Sequence, residues 1–594
     1  MNLRLLPFPL NVYAQTLAFE YGADYQRATH LHFGVYDAAQ SNNGDHPASD
    51  YISAQQSAQE LLLAYLLATP ASVLEWGFGD GSLARALGDL GYRVDALSND
   101  AEEYRHVRSV VGDGASANLH FHCTDFAQFH PDERVDILVL QQSAQYLDPL
   151  LLLTRAADLL RPGGQLLIVD EFLLHDTRRE PQPRPLLTHF LQLSERCGLT
   201  VERQLELGDR VAPGLALFHE LLRKHRDTLA AALQIDLASI DNLTADLAKQ
   251  RENFLAGRFG CTLLDLRRGP LHEHDVVYGS IGSFQIDEVR PIFESSFDAR
   301  FDPAVWQWKY GEGRGRAVCA RIDRLLIGHY GGAPRDILYF GKPDKAIQIC
   351  DVMVMPEYRS FANRDTLFFK TAATFLEQQI GNAANHLLGF GFPNMRVLQM
   401  AKRLGLYDTT DTFIELHYSP QSETADAAFE VVPFALSEPE SRLTVDALWE
   451  QMAGDLREQI VGVRDWTYLY YRYCTHPLWA VGGYVCVALH HRGMEGIAAL
   501  AILKPHEGCR LLMDIIGAID GFPEQLRALN AWLTEGGERL CCRITEGQAQ
   551  HLTLPGCERR DLGIEIPCNS WTRGPLADEL KGAWWLTAGD MDFL

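Results

Sequence analysis

One run of nine residues constrains this chain more than any other, because it leads an apolar strand through glycines into a helix. Val73-Leu74-Glu75-Trp76 has the pattern of a buried strand, Gly77-Phe78-Gly79-Asp80-Gly81 follows, and helical periodicity begins near Ser82. Glycines allow a tight turn and a close approach of a ligand to the backbone, and the first turn of the helix offers N–H groups to that ligand. The spacing is G-x-G-x-G, which differs from the G-x-G-x-x-G of nicotinamide-binding folds. The run predicts a ligand loop at the end of a strand.

The residues around this loop alternate between helical and strand-like patterns from about 55 to 175. That alternation predicts a doubly wound parallel sheet. Residues 177–268 have mostly helical patterns, and Gly269-Pro270 marks a boundary. The predicted helices are Gln55–Ala68 and Ser82–Leu90, and the predicted strands are Ala71–Trp76, Arg93–Leu97, Asn118–His122, Val135–Leu140, Gln165–Val169 and Thr262–Leu266.

Three motifs lie at fixed distances along this block: Glu75–Gly81 reads E-x-G-x-G-x-G, Cys123-Thr124-Asp125-Phe126 follows the third strand, and Leu160–Gly164 reads L-R-P-G-G. With these motifs, residues 20–268 resemble the class I S-adenosylmethionine-dependent methyltransferases, which have a Rossmann-like fold, and the predicted domain is 1–269. The resemblance implies that Ser98 stands where the family usually places a ribose-binding acid, with help from Asn99, and that Asp125 accepts the adenine amino group. The full cofactor set that the resemblance implies is Glu75, Gly77, Gly79, Gly81, Ser98, Asn99, Asp125, Phe126 and Gln141.

The sequence indicates the methyl acceptor less clearly than it indicates the cofactor. His32 lies on a segment that caps the pocket in many small-molecule methyltransferases, and Tyr146 and Glu171 follow strands that face the same crevice. These three are the catalytic candidates. Each of them could equally be an ordinary surface or packing residue.

Residues 276–418 resemble the GNAT acyltransferases. Trp306–Tyr310 and Ala320–Ile327 look like the early strands of that family, Asp351–Arg359 looks like its central strand and the start of its pyrophosphate loop, and Gly389–Asn394 looks like its late strand. The resemblance implies an α+β fold that binds acetyl-CoA. The implied cofactor residues are Met353, Val354, Arg359, Arg364 and Asn394, and Tyr407 is the candidate general acid, although a packed tyrosine is the alternative.

The pyrophosphate loop departs from the family pattern, because Ala362 and Arg364 stand where glycines belong. Their side chains crowd the backbone approach that a phosphate needs. Arg359 and Arg364 could still hold phosphate by charge.

Residues 430–594 repeat part of the pattern of residues 276–418, which predicts a degenerate second GNAT-like unit. Lys309 and Asp351 are 42 residues apart, and so are Arg472 and Asp514. No arginine-glycine loop follows Asp514, so we do not expect catalysis from this unit. The apolar stretch 584–594 predicts a segment that docks against the fold.

The amino-acid composition limits the classes of molecule that this chain can bind. Fifty-three Lys+Arg against 78 Asp+Glu give a net charge of −25, which argues against nucleic acid or an anionic membrane as a partner. No apolar run reaches the length of a membrane span, and no secretion signal is evident, so we expect a cytoplasmic protein.

The 12 cysteines form no C-x-x-C pair and no zinc pattern, which predicts reduced thiols and no metal site. The oligomeric state stays open.

The preferred interpretation is an S-adenosylmethionine-dependent methyltransferase for a small metabolite, fused to a GNAT-like N-acyltransferase. In the main alternative, residues 276–594 form a non-catalytic recognition or assembly module. In a third, the first block binds the cofactor only as a sensor.

Overall fold

The structure is a computed structural model that describes residues 8–22, 34–36, 48–111, 118–179, 184–270, 275–360, 363–420, 428–493 and 496–591. It divides into two compact units, one of Met1–Asp176 with Pro183–Tyr278 and one of Thr177–Gln182 with Gly279–Leu594. The predicted ranges 1–269, 276–418 and 430–594 stay predictions.

The first unit is a sheet covered by helices. Its strands are β1 Ser72–Trp76, β2 Arg93–Ser98, β3 Leu119–Cys123, β4 Val135–Gln141, β5 Leu160–Leu173, β6 Leu199–Glu206 and β7 Phe259–Arg268. Its helices are α1 Leu10–Tyr21, α2 Ala48–Tyr65, α3 Ser82–Asp89, α4 Ala101–Val111, α5 Pro149–Leu159, α6 Leu187–Arg196, α7 Gly208–Leu233 and α8 Leu237–Leu255. The strand order is β3-β2-β1-β4-β5-β7-β6.

The sheet is not wholly parallel as predicted, because β7 runs antiparallel to both β5 and β6. The predicted strands are all present, but β6 was missed within the region interpreted as mostly helical. It is the edge strand of the sheet, and most of its residues are partly or fully exposed. A strand that buries so few side chains lacks the apolar run by which the central strands were recognised.

The second unit contains two further sheets. Its strands, after β8 Val277–Ser280 at the boundary, are β9 Arg316–Ile322, β10 Leu325–Tyr339, β11 Lys342–Val354, β12 Leu388–Gly391, β13 Tyr407–His417, β14 Phe429–Pro433, β15 Ile460–Gly462, β16 Val485–His491, β17 Ala499–His506, β18 Cys509–Gly517, β19 Leu540–Thr545, β20 Glu558–Asn569 and β21 Trp584–Trp585. Its helices are α9 Ile286–Phe297, α10 Pro303–Tyr310, α11 Leu367–Gln379, α12 Met395–Arg403, α13 Arg442–Asp455, α14 Trp466–Leu469, α15 Phe522–Glu535 and α16 Ala577–Leu580.

Strands from both predicted later blocks contribute to both of these sheets. One sheet has the order β12-β11-β10-β15-β21, with β9 also paired to β10, and the other has the order β14-β16-β17-β18-β19-β13-β20. Strand β13 therefore lies among strands of residues 429–569, while β15 and β21 extend the sheet of residues 316–391. Each sheet depends on both halves for its full set of strands.

The structure contradicts two expectations for this unit and confirms a third. Trp306–Tyr310 is not a strand: Asp302 caps the N-terminus of α10 through the N–H groups of Ala304 and Val305, and Pro303 is its first residue. The cysteines are not all free thiols, because Cys509 and Cys541 form a disulfide. The apolar stretch does dock, since Trp584, Trp585 and their neighbours through Met591 are buried.

Among the helices that the structure describes, none has both the length and the apolarity needed to cross a bilayer. The described residues likewise contain no cluster of three or more potential metal ligands.

Candidate functional site

The crevice of the first unit lies where the strand order reverses. Strand β1 has β2 on one side and β4 on the other, both parallel to it, with Trp76 level with Leu97 and Leu140. The carboxyl ends of β1, β2, β4 and β5 therefore meet at one edge of the sheet. Ligands of open α/β sheets bind at such a reversal point.

The glycine loop leaves β1 at this edge. Gly77, Gly79 and Gly81 all have positive φ, and at Gly79 (φ 53°) an added Cβ would have no heavy atom within 4 Å. At Gly77 an added Cβ would lie 2.5 Å from that of Ser143, which donates from its hydroxyl to Trp76 O at 2.6 Å. Gly77 thus packs the loop against the segment after β4, whereas Gly79 faces open space where a ligand can approach.

Glu75 points into the unit beneath this loop. Its side chain is buried, and among the described residues no hydrogen-bond partner reaches Oε2. Burial, together with the nearby carboxylates of Asp80 and Glu103, raises the pKa of Glu75 to about 8. A buried carboxylate without a counter-charge is costly, so the site is well suited to a cationic ligand.

Next to the end of β2, the first turn of α4 places a carboxylate that sequence reasoning missed, that of Glu103. Ser98, the predicted ribose contact, donates from Oγ to Glu103 Oε2 at 2.6 Å, while Asn99 is exposed. Asp100 accepts from the N–H groups of Glu102 and Glu103 and so fixes the first turn of α4. A carboxylate from the first turn of α4 therefore lies against the Ser98 hydroxyl. An acidic first turn directly after Ser98-Asn99-Asp100 was the available signal.

The residues expected at the adenine lie in a turn after β3. Asp125 is exposed, and its Oδ1 accepts from the Ala127 N–H at 2.8 Å. Phe126 is fully buried, with its ring centroid 5.3 Å from that of Trp76. Phe126 anchors the turn in the core and leaves the Asp125 carboxylate at the surface.

The ends of β4 and β5 form the other wall. Gln141 ends β4 and pairs with Val169. Asp170 is buried and accepts from the Gln145 N–H at 3.0 Å, which ties the segment after β4 to β5, and burial raises the pKa of Asp170 to about 7.

Two of the catalytic candidates stand on this wall. Glu171 accepts a short hydrogen bond from Gln250 Nε2 and lies 3.6 Å from Arg184 Nε. Burial raises the pKa of Glu171, and Arg184 and Gln250 oppose that rise. Tyr146 is 78% exposed, while His32 lies outside the described residues.

The second unit contains a separate cavity of about 580 Å³. Strands β11 and β12 pair in parallel as far as Ile349 and Gly391, and residues just beyond both pairing ends line the cavity. Tyr407 also lines it, and its hydroxyl forms a short hydrogen bond with that of Tyr330. Burial, reinforced by Tyr330, raises the pKa of Tyr407 well above its usual range.

The other residues predicted to hold acetyl-CoA do not converge on one point. Met353 is buried among core side chains, and the Val354 carbonyl accepts from Arg359 Nε at 2.8 Å. Arg364 stacks over Trp571, with Cζ 5.2 Å from the ring centroid. Asn394 caps α12 through the Val397 N–H and lines the cavity. Ala362 lies outside the described residues.

Comparison with known proteins concerns the first unit. The family model described as "Methyltransferase domain" matches residues 74–168. Among solved structures, the chain is similar to a putative sarcosine dimethylglycine methyltransferase from Galdieria sulphuraria (18% identity, TM-score 0.37, covering 43% of this chain and 98% of that one). It is also similar to a cyclopropane synthase from Mycobacterium tuberculosis (18%, 0.35, 43% and 98%) and to a mycolic acid cyclopropane synthase solved with SAH and CTAB (20%, 0.35, 44% and 99%). No curated protein matches the chain.

The matched residues run from β1 through the glycine loop and the ends of β2, β3 and β4 to β5, which is the part of the sheet that forms the crevice. Residues 74–168 of the first unit therefore match a methyltransferase domain.

Proposed function

We propose that the first unit binds S-adenosylmethionine in the crevice and methylates a small-molecule acceptor. The observation that carries the proposal is the pairing of an open glycine loop with buried carboxylates at one sheet edge, within residues that match a methyltransferase domain. When bound, S-adenosylmethionine supplies an electrophilic methyl group on a sulfonium. Glu75 and its acidic neighbours suit that positive charge.

The described residues divide the binding task among the strand ends. Gly77, Gly79 and Gly81 let the loop bend around the cofactor, Ser98 with Glu103 suits the ribose hydroxyls, and Asp125 suits an amino donor on the adenine. These are the same roles that the family resemblance implies, with Glu103 added from the geometry.

Methyl transfer requires that the acceptor be positioned and that its proton be removed where it has one. Glu171 is the base candidate, because its carboxylate is buried, oriented by Gln250 and held at a raised pKa. Tyr146 is exposed at the same wall and suits contact with the acceptor. His32 stays a candidate from the sequence.

Turnover tests this function. The chain, incubated with S-adenosylmethionine and fractionated small metabolites, should form S-adenosylhomocysteine with at least one fraction, and one metabolite there should gain the mass of a methyl group. Glu171→Gln should slow this turnover while retaining cofactor binding. Cofactor binding with no turnover in any fraction would instead favour the sensor.

A second candidate function is acyl transfer by the second unit. The observation that favours it is the cavity at the point where the parallel pairing of β11 and β12 ends, with Tyr407 in its wall. A tyrosine hydroxyl there could return a proton to a leaving thiolate, as the GNAT resemblance implies. The contacts of Arg359 and Arg364 with the protein itself favour the alternative of a recognition or assembly module.

Titration with acetyl-CoA separates these two interpretations of the second unit. Binding that is lost in Arg359→Ala, and strengthened when Ala362 and Arg364 are both changed to glycine, would support acyl transfer. No binding by any of these proteins would support the recognition or assembly module.

A further inference from the structure

The second unit contains two versions of one buried polar cluster. In the first version, Asp351 accepts from Lys309 Nζ at 2.9 Å and from the Tyr310 hydroxyl at 2.7 Å. Asp351 has φ 50°, where β11 bulges away from β10. Although burial opposes it, the Lys309 ammonium lowers the pKa of Asp351. The cluster is thus a buried ion pair that joins α10 to β11.

In the second version, Asp514 stands on β18 in the place of Asp351. It accepts from Arg464 Nε at 2.8 Å and, through a short hydrogen bond, from the Tyr473 hydroxyl. Tyr473 follows Tyr310 by 163 residues, and Asp514 follows Asp351 by the same distance. The repeated spacing in the sequence therefore corresponds to a repeated contact between a tyrosine hydroxyl and an aspartate. The cation that pairs with the aspartate differs, since Arg464 pairs with Asp514 and Lys309 pairs with Asp351.

A reciprocal contact supports the correspondence of the two versions. Trp308 and Tyr471 are also 163 residues apart, and their rings stack with centroids 5.2 Å apart. Trp308 Nε1 donates to the Tyr471 carbonyl at 3.1 Å, and the Tyr471 hydroxyl donates to the Trp308 carbonyl at 3.2 Å. Contact between equivalent positions, made in both directions, is what a two-fold relation produces.

The second cluster is covered by the chain's own segment Thr587–Met591. Thr587 Oγ1 donates to Asp514 Oδ1 at 2.8 Å, and Gly589 lies so close that a Cβ on it would be 2.1 Å from Asp514 Oδ2. Arg472, which corresponds to Lys309, donates to the carbonyls of Gly589 and Met591 at 2.8 and 2.9 Å. The occupant thus presents peptide carbonyls to Arg472 and a hydroxyl to Asp514, while its Asp590 carboxylate accepts from Arg464, a cation that the first version lacks.

The first cluster faces the cavity of about 580 Å³ instead, with Lys309 and Asp351 in its wall. That volume is in the range of small-molecule sites. The rest of the wall is mainly apolar, with Phe293, Phe297, Phe301, Trp306, Phe368, Val397, Leu398 and Ala401. A few polar groups in an apolar cavity are what fixes the orientation of a small ligand.

We propose that this cavity binds a small molecule that carries an amide-type carbonyl on an apolar body. The ligand takes the place at Lys309 and Asp351 that residues 587–591 take at Arg472 and Asp514. Its carbonyl accepts from the Lys309 ammonium, its N–H or O–H donates to Asp351, and its apolar body lies against the phenylalanine and tryptophan side chains. The proposal depends on neither methyl transfer nor acyl transfer.

The first test uses octanamide as the probe, titrated calorimetrically into the full chain. We expect saturable binding at one site. Val397→Trp, which fills the cavity from α12, should weaken that binding at least tenfold, whereas Gln399→Trp on the exposed side of the same helix should not change it. No binding, or equal binding by Val397→Trp, would overturn the proposal.

The second test asks whether the carbonyl is recognised. 1-Octanol has a chain of the same length without the carbonyl, and it should bind at least tenfold more weakly than octanamide. The double variant Lys309→Met/Asp351→Asn, which leaves neither charge alone in the interior, should bind the two probes equally. Equal binding of both probes by the unaltered chain would overturn the proposal, and this comparison holds even if the double variant does not fold.

Discussion

At the scale of single residues, the first unit concentrates acids where its strands end. Glu75, Asp80, Glu103, Asp170 and Glu171 are all largely removed from solvent, and burial raises the pKa of each. Burial disfavours the ionised form of these acids, and a cationic ligand would stabilise it, which strengthens the case for such a ligand.

Glu75 gives this arrangement a pH dependence with a definite sign. Its pKa rises from the ordinary 4.5 to about 8 in the folded chain, so between those values the folded state holds a proton that the unfolded state has released. Stability should therefore fall as the pH rises through this window. Thermal denaturation at pH 5 and pH 8 checks this: the melting temperature of Glu75→Gln should improve relative to the unaltered chain at the higher pH. A difference that does not change with pH would contradict the assignment.

Asp125 tests the adenine end of the crevice. Asp125→Ala should weaken the binding of S-adenosylmethionine by about 1–2 kcal/mol, because one hydrogen bond to the adenine amino group is lost. Calorimetric titration measures the change. Asp132→Ala, an exposed acid in the loop that precedes β4, is the control and should leave the affinity unchanged. Equal affinities for both variants would show that the turn after β3 does not hold the adenine.

At the scale of elements, the segment that follows β21 fills the space over Asp514. Gly589 is required there by close approach, because a Cβ would meet both Asp514 Oδ2 and the Tyr473 hydroxyl within 2.4 Å. These two groups are buried and bonded to each other, so they have little room to move.

Gly589→Ala should therefore lower the free energy of unfolding of the second unit by roughly 1–3 kcal/mol, the usual cost of overpacking a core. Urea denaturation followed by near-ultraviolet circular dichroism measures it. Gly454→Ala in α13 is the matched control, because a Cβ there meets nothing within 4 Å and alanine favours a helix. If both variants lose the same free energy of unfolding, Gly589 is not in close contact with the side chains of Asp514 and Tyr473.

The strand exchange between the two later blocks shows where sequence reasoning stopped. Local patterns located β12 and the end of β11, but the predicted strand Ala320–Ile327 was wrong, because it spans the turn at Asp323 and Arg324 that separates β9 from β10. They could not show that β13 pairs with β19 and β20, because strand partners are set by packing between segments more than a hundred residues apart. Glu103 was missed although the acidic first turn of α4 was a local signal, because only the fold shows that its carboxylate contacts the Ser98 hydroxyl.

At the scale of the whole molecule, the net charge of −25 suits the two candidate cofactors unequally. A sulfonium needs no special provision in an acidic chain, whereas a polyanion such as CoA needs local cations. Arg359 and Arg364, the two that the sequence offered, contact other parts of the protein. The electrostatics of the chain therefore agree with the family match in supporting methyl transfer more strongly than acyl transfer.

Calorimetric titration of the full chain with S-adenosylmethionine tests whether the crevice of the first unit binds this cofactor over Gly79. We expect binding at one site, weakened at least tenfold by Gly79→Val, because a valine side chain would occupy the open space over the loop. Gly91→Val is the control, since Gly91 also has positive φ and open space around it but lies in the turn before β2. Full affinity in Gly79→Val, or no binding by the unaltered chain, would show that the cofactor does not lie over the glycine loop.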